Sequence, residues 1–381
     1  MKNLLFFPLL LLALKACGNP SSQKVLDTLA APAVTEKEYT LDEDIGMMLL
    51  VGFRGTEVDS AKNPEIVTAL RDYHVGSVIL FDYDASTGQR GRNIKDTAQV
   101  RRLCAQLRCY NPQLLIGIDQ EGGYVSRLAP RHGFPRIPSA KRLGAMREDS
   151  LRYYANLTGQ SLAALGINLN FAPVADVDIN PRCPVIGAIE RSFSDNANKV
   201  ASCCGVWMDV VSQTGVVSCM KHFPGHGSAT GDTHKGLVDV TDTWQRSELI
   251  PYMGLSQAYQ YEKHTMVMTA HVVNRQLDPT GLPASLSPRI TSLLRDTLGF
   301  DGVIVTDDMA MGAITSQYGF EQAIRMAVLA GADLLCLSNN GGTYDPTMVA
   351  CAARVVRQMV DDGTIDEQRI RCSAQRMRRL L

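Results

Sequence analysis

Eight short apolar runs, separated by longer amphipathic stretches, limit the possible folds of this chain more than any other feature. They lie at residues 46–53, 75–81, 113–119, 167–174, 215–221, 265–271, 302–307 and 332–338. Each run consists mostly of branched or long apolar side chains, which is typical of a strand buried on both faces of a sheet. The stretches between them predict helices, among them residues 64–73, 94–108, 196–214, 288–298 and 320–330.

Eight strands that alternate with helices predict a parallel (β/α)8 barrel in a single domain, which we place at residues 41–381. The chain has 381 residues, which leaves room for a barrel of about 250 residues with insertions. The structural alternative is a doubly wound open sheet, which requires a glycine-rich phosphate turn after an early strand. The GFRG sequence at 52–55 lacks the GxGxxG spacing, so the pattern favours the barrel.

Polar residues stand at the end of six consecutive runs. They are Asp119, Asp176, Lys221, His222, His271, Asp307, Asp308, Ser338 and Asn339. Any one of them alone could cap the helix that follows. Together they predict a polar cup at the carboxyl ends of the strands, where active sites in this architecture lie.

The sequence KHFPGHGSATGDTHKG, at 221–236, holds three of the seven histidines: His222, His226 and His234. A metal-dependent barrel hydrolase is one hypothesis. Its ligands would come from His222, His226, Asp232, His234, His271 and Asp307. The first strand is followed by GFRGTE instead of an HxH pair, and HExxH is absent from the sequence. These two absences argue against the metal hypothesis without closing it. A second hypothesis is a non-catalytic lipoprotein that binds a small ligand in the cup.

The N-terminal residues 1–17 predict a signal peptide. An apolar run over Leu4–Leu14 follows Lys2 and is too short to span a bilayer. The sequence LKAC, which ends at Cys17, resembles a bacterial lipoprotein processing box, although Lys15 departs from that pattern. We predict export, lipidation at Cys17 and a tether at residues 18–40, so that the protein contacts a membrane only through this anchor.

The charge balance gives no reason to expect nucleic acid as a partner. Lys and Arg number 38 against 39 Asp and Glu, so the formal net charge is -1. Three arginines cluster near the C-terminus, at Arg376, Arg378 and Arg379. We interpret them as the solvated face of a last helix that buries Ile370, Ala374 and Met377.

The cysteines do not predict a structural zinc site, because no CxxC pair or His/Cys cluster with zinc-ligand spacing occurs. Export permits disulfides. Cys219 and Cys336 lie in apolar runs and are expected to be buried thiols. Cys104 and Cys109 lie in a predicted helix, where their side chains diverge.

Six segments in order along the chain resemble glycoside hydrolase family 3, most closely its β-N-acetylhexosaminidase branch. They are IGIDQEGGYVSRL (116–128), GINLNFAPVADVD (166–178), PVIGAIERSFS (184–194), KHFPGHG…DTH (221–234), MTAHVVNRQLDPTGLPASLSP (268–288) and FDGVIVTDDMAMGAI (300–314). The similarity covers about residues 41–381. The family's N-terminal domain is a (β/α)8-type barrel, in agreement with the fold that the eight runs predict.

The resemblance implies roles for individual residues. Asp307 matches the family nucleophile, which forms a covalent glycosyl-enzyme, and His234 matches the general acid/base of a D-(S/T)-H loop with Asp232 beside it. Five residues match positions that bind sugar hydroxyls: Asp119, Arg127, Arg191, Lys221 and His222. The branch often has Arg where this chain has Tyr124. A histidine suits the acid/base role, since an unperturbed imidazole titrates near neutrality.

The resemblance therefore implies a retaining exo-β-N-acetylglucosaminidase that needs no cofactor or metal. We expect the protein to be a monomer. Its substrates would be cell-wall fragments or other oligosaccharides that end in N-acetylglucosamine (GlcNAc). The enzymatic alternative is a β-glucosidase of the same family, whose acid/base comes from elsewhere.

The remaining polar residues of the cup are expected to have supporting roles. We interpret Asp308 as a helix cap or a support for its neighbour, and His226 as a brace of the GHG turn through a backbone bond. His271 could line the cup or support Lys221 and is left outside the site. Three further histidines are expected at the surface: His74, His132 and His264.

Overall fold

The computed structural model describes residues 38–254 and 265–381. The predicted signal peptide, Cys17, His264 and all but the last residues of the predicted tether lie outside the described residues. The folded unit is Thr40–Leu381.

Eight parallel strands form a nearly closed barrel. They are β1 (Leu49–Gly52), β2 (Ser77–Leu80), β3 (Leu115–Ile118), β4 (Leu169–Asn170), β5 (Val217–Phe223), β6 (Thr265–Thr269), β7 (Val303–Thr306) and β8 (Leu335–Leu337). Each strand from β1 to β6 pairs with the next in the chain, and β8 pairs with β1. A parallel bridge between Val305 and Leu334 joins the seam between β7 and β8. The predicted barrel is confirmed, and the open sheet is not formed.

Helices follow the strands around the outside of the barrel. In the described residues they are α1 (Leu41–Met47), α2 (Pro64–Arg71), α3 (Thr97–Tyr110), α4 (Ala140–Ala145), α5 (Glu148–Leu165), α6 (Ala197–Ser212), α7 (Ile250–Met253), α8 (Pro288–Ser292), α9 (Gly312–Tyr318), α10 (Phe320–Ala330), α11 (Met348–Asp361) and α12 (Glu367–Arg378). Single 3-10 turns are Pro130–His132, Gly187–Ile189, Arg246–Leu249 and Ala284–Leu286, and Leu293–Thr297 is a π-helical turn. Short strand pairs join Tyr83–Asp84 to Gln89–Arg90, Gln120–Gly122 to Val125–Ser126, and Val238–Asp239 to Val272–Val273.

The first strand is shorter than the apolar run that predicted it. Thr40 and Glu43 form a capping box that starts α1, and the helix continues through Met47. Both Met47 in the helix and Leu49 in β1 are buried. Hydropathy alone could not locate the boundary, because apolar side chains are buried on either side of it.

The predicted helix at 288–298 begins as expected and then changes its geometry. Ser287 caps α8 by accepting a hydrogen bond from Ile290 N, and Pro288 occupies the first turn. The following turn, Leu293–Thr297, is π-helical. Gly299 comes after its end with a positive φ of 68°, a conformation that glycine adopts without a steric penalty.

The C-terminal arginines are not simply solvated, so that part of the interpretation was wrong. Arg376 and Arg379 both bind Asp301 ahead of β7, and Arg376 also lies 3.3 Å from Asp333 ahead of β8. Arg378 lies 2.6 Å from Asp44 in α1. These pairs fasten α12 across the amino ends of the strands. The helix buries the three apolar residues that were expected to face inward: Ile370, Ala374 and Met377.

The nine cysteines of the described residues are all free. Cys219 and Cys336 are buried, as expected. Among the described helices, none combines the length and the apolar character that a bilayer crossing requires.

Candidate active site

The carboxyl ends of the strands surround a pocket of about 460 Å³. Its lining includes every predicted site residue in the described part of the chain: Asp119, Arg127, Arg191, Lys221, His222, Asp232, His234 and Asp307. The barrel therefore brings together residues that span almost two hundred positions of the sequence. Lys221 and Asp119, for example, are 102 residues apart and hydrogen-bonded.

A β-bulge in β5 lets two consecutive residues face this pocket. Successive side chains of a regular strand point to opposite faces. Against β6, Lys221 is paired with Met268 and Phe223 with Thr269, which leaves His222 as an extra residue at a shift in register. Both Lys221 and His222 line the pocket as a result.

Lys221 is buried between two carboxylates. Its Nζ lies 2.7 Å from Asp119 Oδ1 and 2.7 Å from Glu121 Oε1. Burial alone lowers the pKa of Lys221, but the two neighbouring carboxylates raise it above its usual value. The lysine is therefore a fixed positive charge at the side of the pocket.

Glu121 was not predicted as a site residue, yet it holds two predicted ones. Its carboxylate accepts two hydrogen bonds of 2.8 Å from Arg191, through Nε and Nη2, in a bidentate pair. Although burial opposes the shift, Arg191 and Lys221 lower the pKa of Glu121 to about 2. The signal for this residue was its place two positions after Asp119, at the end of the third run.

Asp119 completes this group at the end of β3. It accepts hydrogen bonds from Lys221 and, at 3.4 Å, from Arg127 Nη2. Burial raises the pKa of Asp119, but the nearby Lys221 and Arg127 lower it overall. A carboxylate that stays ionised can accept hydrogen bonds from sugar hydroxyls.

Asp176 orients His222 through contacts with both its ring and its backbone. Its Oδ2 lies 2.7 Å from His222 Nδ1, and its Oδ1 accepts hydrogen bonds from the backbone N–H groups of His222 and His226. This leaves His222 Nε2 toward the pocket, 3.4 Å from Arg191 Nη2. Asp176 was placed in the polar cup but not among the site residues, and its side chain is fully buried.

The consecutive carboxylates Asp307 and Asp308 have different environments. Asp308 accepts hydrogen bonds from Ser338 N, Ser338 Oγ and Ala310 N, so it supports the ends of β7 and β8. Burial raises its pKa. In the described residues, the Asp307 carboxylate accepts one hydrogen bond, from Asp308 N. Burial raises the pKa of Asp307, but the nearby His271 and His222 lower it below its usual value. Asp307 thus has the lower pKa of the two and fewer hydrogen-bond donors on its oxygens.

His271 does not support Lys221. Its Nδ1 lies 2.6 Å from Ser285 Oγ and its Nε2 lies 2.9 Å from the Asp308 carbonyl oxygen. Burial lowers its pKa, which favours the neutral imidazole at neutral pH. It therefore fixes the backbone beside Asp307.

His234 and Asp232 form the predicted pair. His234 Nδ1 lies 2.8 Å from Asp232 Oδ1, which also accepts a hydrogen bond of 2.9 Å from His234 N. The side chain of His234 is 67% exposed. Burial raises the pKa of Asp232, but its bonds to the backbone and ring of His234 lower it. The carboxylate can hold the proton on Nδ1, which leaves Nε2 free to exchange a proton with a substrate.

His226 braces the loop, but not through a backbone bond of its ring. Its Nε2 lies 3.2 Å from Thr233 Oγ1, and its backbone N–H donates to Asp176 at 2.8 Å. Burial and the nearby His222 lower the pKa of His226 to about 4.

The residues proposed as metal ligands are not gathered into a cation site. Over residues 38–254 and 265–381, no three or more His, Cys, Asp or Glu side chains are placed to hold a metal ion. Their ring and carboxylate atoms instead contact one another in pairs, as for His222 with Asp176 and His234 with Asp232.

A (β/α)8 barrel with an ionised carboxylate and a histidine–aspartate pair in one polar pocket has the architecture of a barrel glycosidase. Residues 40–380 match the family model described as "Glycosyl hydrolase family 3 N terminal domain". The chain belongs to glycosyl hydrolase family 3.

Relatives of known name agree with this assignment. A β-hexosaminidase of Pseudomonas aeruginosa is 33% identical over 287 residues, which are 74% of this chain and 80% of the relative. The β-N-acetylglucosaminidase structure from Paenibacillus sp. FPU-7 has a TM-score of 0.80 and 35% identity over 90% of this chain, which spans 62% of that protein's length. The β-N-acetylhexosaminidase structure from Beutenbergia cavernae has a TM-score of 0.77 and 29% identity, covering 89% of this chain and 98% of that one.

The low pKa of Glu121 predicts a specific loss of stability in acid. A carboxylate whose pKa falls from 4.5 to about 2 on folding stabilises the folded state above pH 4.5, and the stabilisation is lost as the pH falls toward 2. Above pH 4.5 this carboxylate contributes about 3 kcal/mol to the free energy of unfolding. Urea unfolding from about pH 6 to about pH 3 should show wild type and Glu121→Gln converging in free energy of unfolding.

The matched control is Glu57→Gln, which changes an exposed glutamate that pairs with Lys62 on the surface. It should leave the slope of stability against pH unchanged. A constant difference between wild type and Glu121→Gln at every pH would show that the charge of Glu121 is not what stabilises the fold.

Proposed function

We propose that this protein is a retaining exo-β-N-acetylglucosaminidase that removes terminal GlcNAc from oligosaccharides through a covalent glycosyl-enzyme. The observation that carries the proposal is one pocket lined by both the ionised Asp307 and the Asp232–His234 pair. The names of the Pseudomonas and Paenibacillus relatives support the same substrate.

In the first step, an Asp307 carboxylate oxygen attacks the anomeric carbon as the bond to the leaving oxygen breaks. His234 Nε2 donates a proton to that oxygen, and the sugar remains esterified to Asp307. In the second step, His234 takes a proton from water, the water oxygen attacks the anomeric carbon, and the ester bond to Asp307 breaks. Two inversions give retention of the β-configuration.

The acid/base role falls to His234 because of its contact with Asp232. The carboxylate, 2.8 Å from Nδ1, holds the ring orientation and keeps a proton on Nδ1, so that Nε2 is the atom that exchanges a proton with the substrate. The high exposure of the ring lets it approach a leaving group that emerges from the pocket.

The remaining pocket residues would bind the terminal sugar. Arg127, Arg191 and Lys221 are donors only, suited to hydroxyl oxygens and the acetamido carbonyl, whereas Asp119 accepts from hydroxyls. His222 is oriented by Asp176 with Nε2 available as a further contact. Because these charges already compensate one another, sugar binding does not require burial of a new unpaired charge.

Two aryl glycosides test this function. We expect kcat/KM for an aryl β-N-acetylglucosaminide to exceed that for the matching aryl β-glucoside by at least about 100-fold, since a site built for the acetamido group would leave its polar groups unpaired with glucose. A preference for the glucoside would support the β-glucosidase alternative instead. Hydrolysis of neither would favour a non-catalytic binding protein, and activity lost to chelator and restored by zinc would favour the metal hypothesis.

A second cavity supports cell-wall fragments as natural substrates. It has a volume of about 1080 Å³ and shares four lining residues with the pocket: Tyr83, Tyr124, Arg127 and Ile189. Five arginines line it, at Arg90, Arg127, Arg131, Arg136 and Arg142, against two acids, Asp82 and Glu190. Tyr124 is 78% exposed at the junction. This excess of positive charge suits an aglycone that bears carboxylates, as muramic acid and its peptide do.

The same assay extends to this aglycone. Arg136→Gln should lower kcat/KM several-fold for a GlcNAc–muramic acid disaccharide and leave the neutral GlcNAc–GlcNAc disaccharide unaffected. Arg102→Gln, on the exposed face of α3, serves as the control of equal charge change. Equal effects of Arg136→Gln on both disaccharides would contradict an acidic aglycone.

The role of Asp307 predicts a near-complete loss of activity in Asp307→Asn. The amide is a poor nucleophile, so kcat should fall by at least about 1000-fold while the unfolding midpoint in urea stays close to that of wild type. NMR of the wild-type reaction should show the β-anomer as first product. Appreciable turnover by the variant, or an α-anomer as first product, would mean that the nucleophile is misassigned.

We also propose that the protein is exported and anchored through a lipid on Cys17. The argument rests on the apolar run Leu4–Leu14 and the LKAC sequence. A radioactive fatty acid supplied to a bacterial host should label the wild type but not Cys17→Ala. The wild type should be found in the membrane fraction and Cys17→Ala outside it. Equal labelling of the two would refute lipidation at this residue.

A further inference from the structure

Within the tripeptide Asp232–His234, only the middle residue is buried. Thr233 is 2% exposed, whereas the side chain of His234 is 67% exposed. Thr233 Oγ1 lies 3.2 Å from His226 Nε2. In the described residues, this is the hydrogen bond that connects the tripeptide to a residue outside its own turn. Its other hydrogen bonds run between Asp232 and His234 or Lys235.

His226 is a rigid partner for this contact. It is 2% exposed, and its N–H donates to Asp176 Oδ1 at 2.8 Å. The next residue, Gly227, packs so closely on Val177 that a Cβ there would lie 1.8 Å from the Val177 carbonyl oxygen. The Gly227 carbonyl in turn accepts a hydrogen bond of 3.0 Å from Asn180 N. The first part of the loop is therefore fixed, and the exposed second part is attached to it through Thr233.

Asp176 links this attachment to the sugar pocket. One oxygen of its carboxylate orients the His222 ring, and the other accepts the backbone N–H groups of His222 and His226. The rings of His222 and His226 meet edge to face, with centroids 5.8 Å apart. A displacement of His226 would therefore move both His222, a proposed sugar contact, and Thr233.

We propose that Thr233 is a positioning residue for the proton-transfer pair. Its hydroxyl, hydrogen-bonded to His226, which is held by Asp176, sets the place from which His234 Nε2 reaches the leaving oxygen. This inference rests on the function proposed above for His234. It assigns no contact with the substrate to Thr233 itself.

The proposal predicts an effect that depends on the leaving group. A misplaced His234 impairs proton donation, which a poor leaving group such as a sugar or an alkyl alcohol requires. A good leaving group such as dinitrophenolate departs without it. The ratio kcat/KM reports the first chemical step, so it separates this effect from the water attack that follows. A merely structural role of Thr233 would lower activity on both substrates alike.

The test compares Thr233→Val, which keeps the shape of the side chain and loses the hydroxyl, with Thr233→Ser, which keeps the hydroxyl. For Thr233→Val, we expect kcat/KM to fall at least about 10-fold on methyl β-N-acetylglucosaminide and less than about 3-fold on the dinitrophenyl glycoside. Thr233→Ser should stay within about 3-fold of wild type on both. If the valine variant does not fold, Thr233→Ala removes the same hydroxyl with a smaller side chain.

Two companion variants make the outcome specific. Thr364→Val removes a threonine hydroxyl that donates to Asp362 in an exposed turn between α11 and α12. This variant should leave kcat/KM unchanged for both the methyl and the dinitrophenyl glycoside. His234→Ala should show the same dependence on the leaving group as Thr233→Val, with a larger loss. Equal losses of Thr233→Val on both substrates, or a serine variant as impaired as the valine one, would overturn the positioning role. A His234→Ala variant without leaving-group dependence would instead overturn the proposed acid/base itself.

Discussion

The buried ion pairs around Lys221 are the interaction on which the pocket depends. Lys221 and Arg191 face Asp119 and Glu121, so two positive charges and two negative charges compensate one another where water is largely excluded. Buried charges are tolerated only when they are paired and hydrogen-bonded, and the loss of one partner leaves the others exposed to the full desolvation cost. The network therefore holds the proposed sugar-binding groups of three separate chain segments in one geometry.

The two ends of the barrel use charge for different purposes. At the amino ends of the strands, Asp333 and Asp301 bind arginines of the last helix and fasten it to the barrel. At the carboxyl ends, the adjacent Asp307 and Asp308 both line the pocket, but Asp308 is engaged by Ser338 whereas Asp307 accepts a hydrogen bond from Asp308 N. The same residue type thus supports the fold in one place and can react in another, according to how many donors its oxygens meet.

The sequence predicted the barrel and the pocket well, because both depend on patterns that are local in the chain. Buried parallel strands are apolar throughout, and their last residues become polar at one end of the barrel. Glu121 was missed because its one local signal, a place two positions after Asp119, does not distinguish a pocket residue from an ordinary polar residue after a strand. Its role became visible only through contacts with Arg191 and Lys221, 70 and about 100 residues away. The C-terminal arginines were misjudged for the same reason.

The sequence by itself determined the order of strands and helices, the barrel class and the eight candidate site residues of the folded domain. These follow from hydropathy, from the chemistry of each side chain and from motif spacing, which are properties of the chain. Only the tertiary structure decided how many donors each carboxylate meets, that a bulge turns both Lys221 and His222 to the pocket, and that Thr233 contacts His226. Desolvation and hydrogen bonding decide these points, and both depend on neighbours that are distant in sequence.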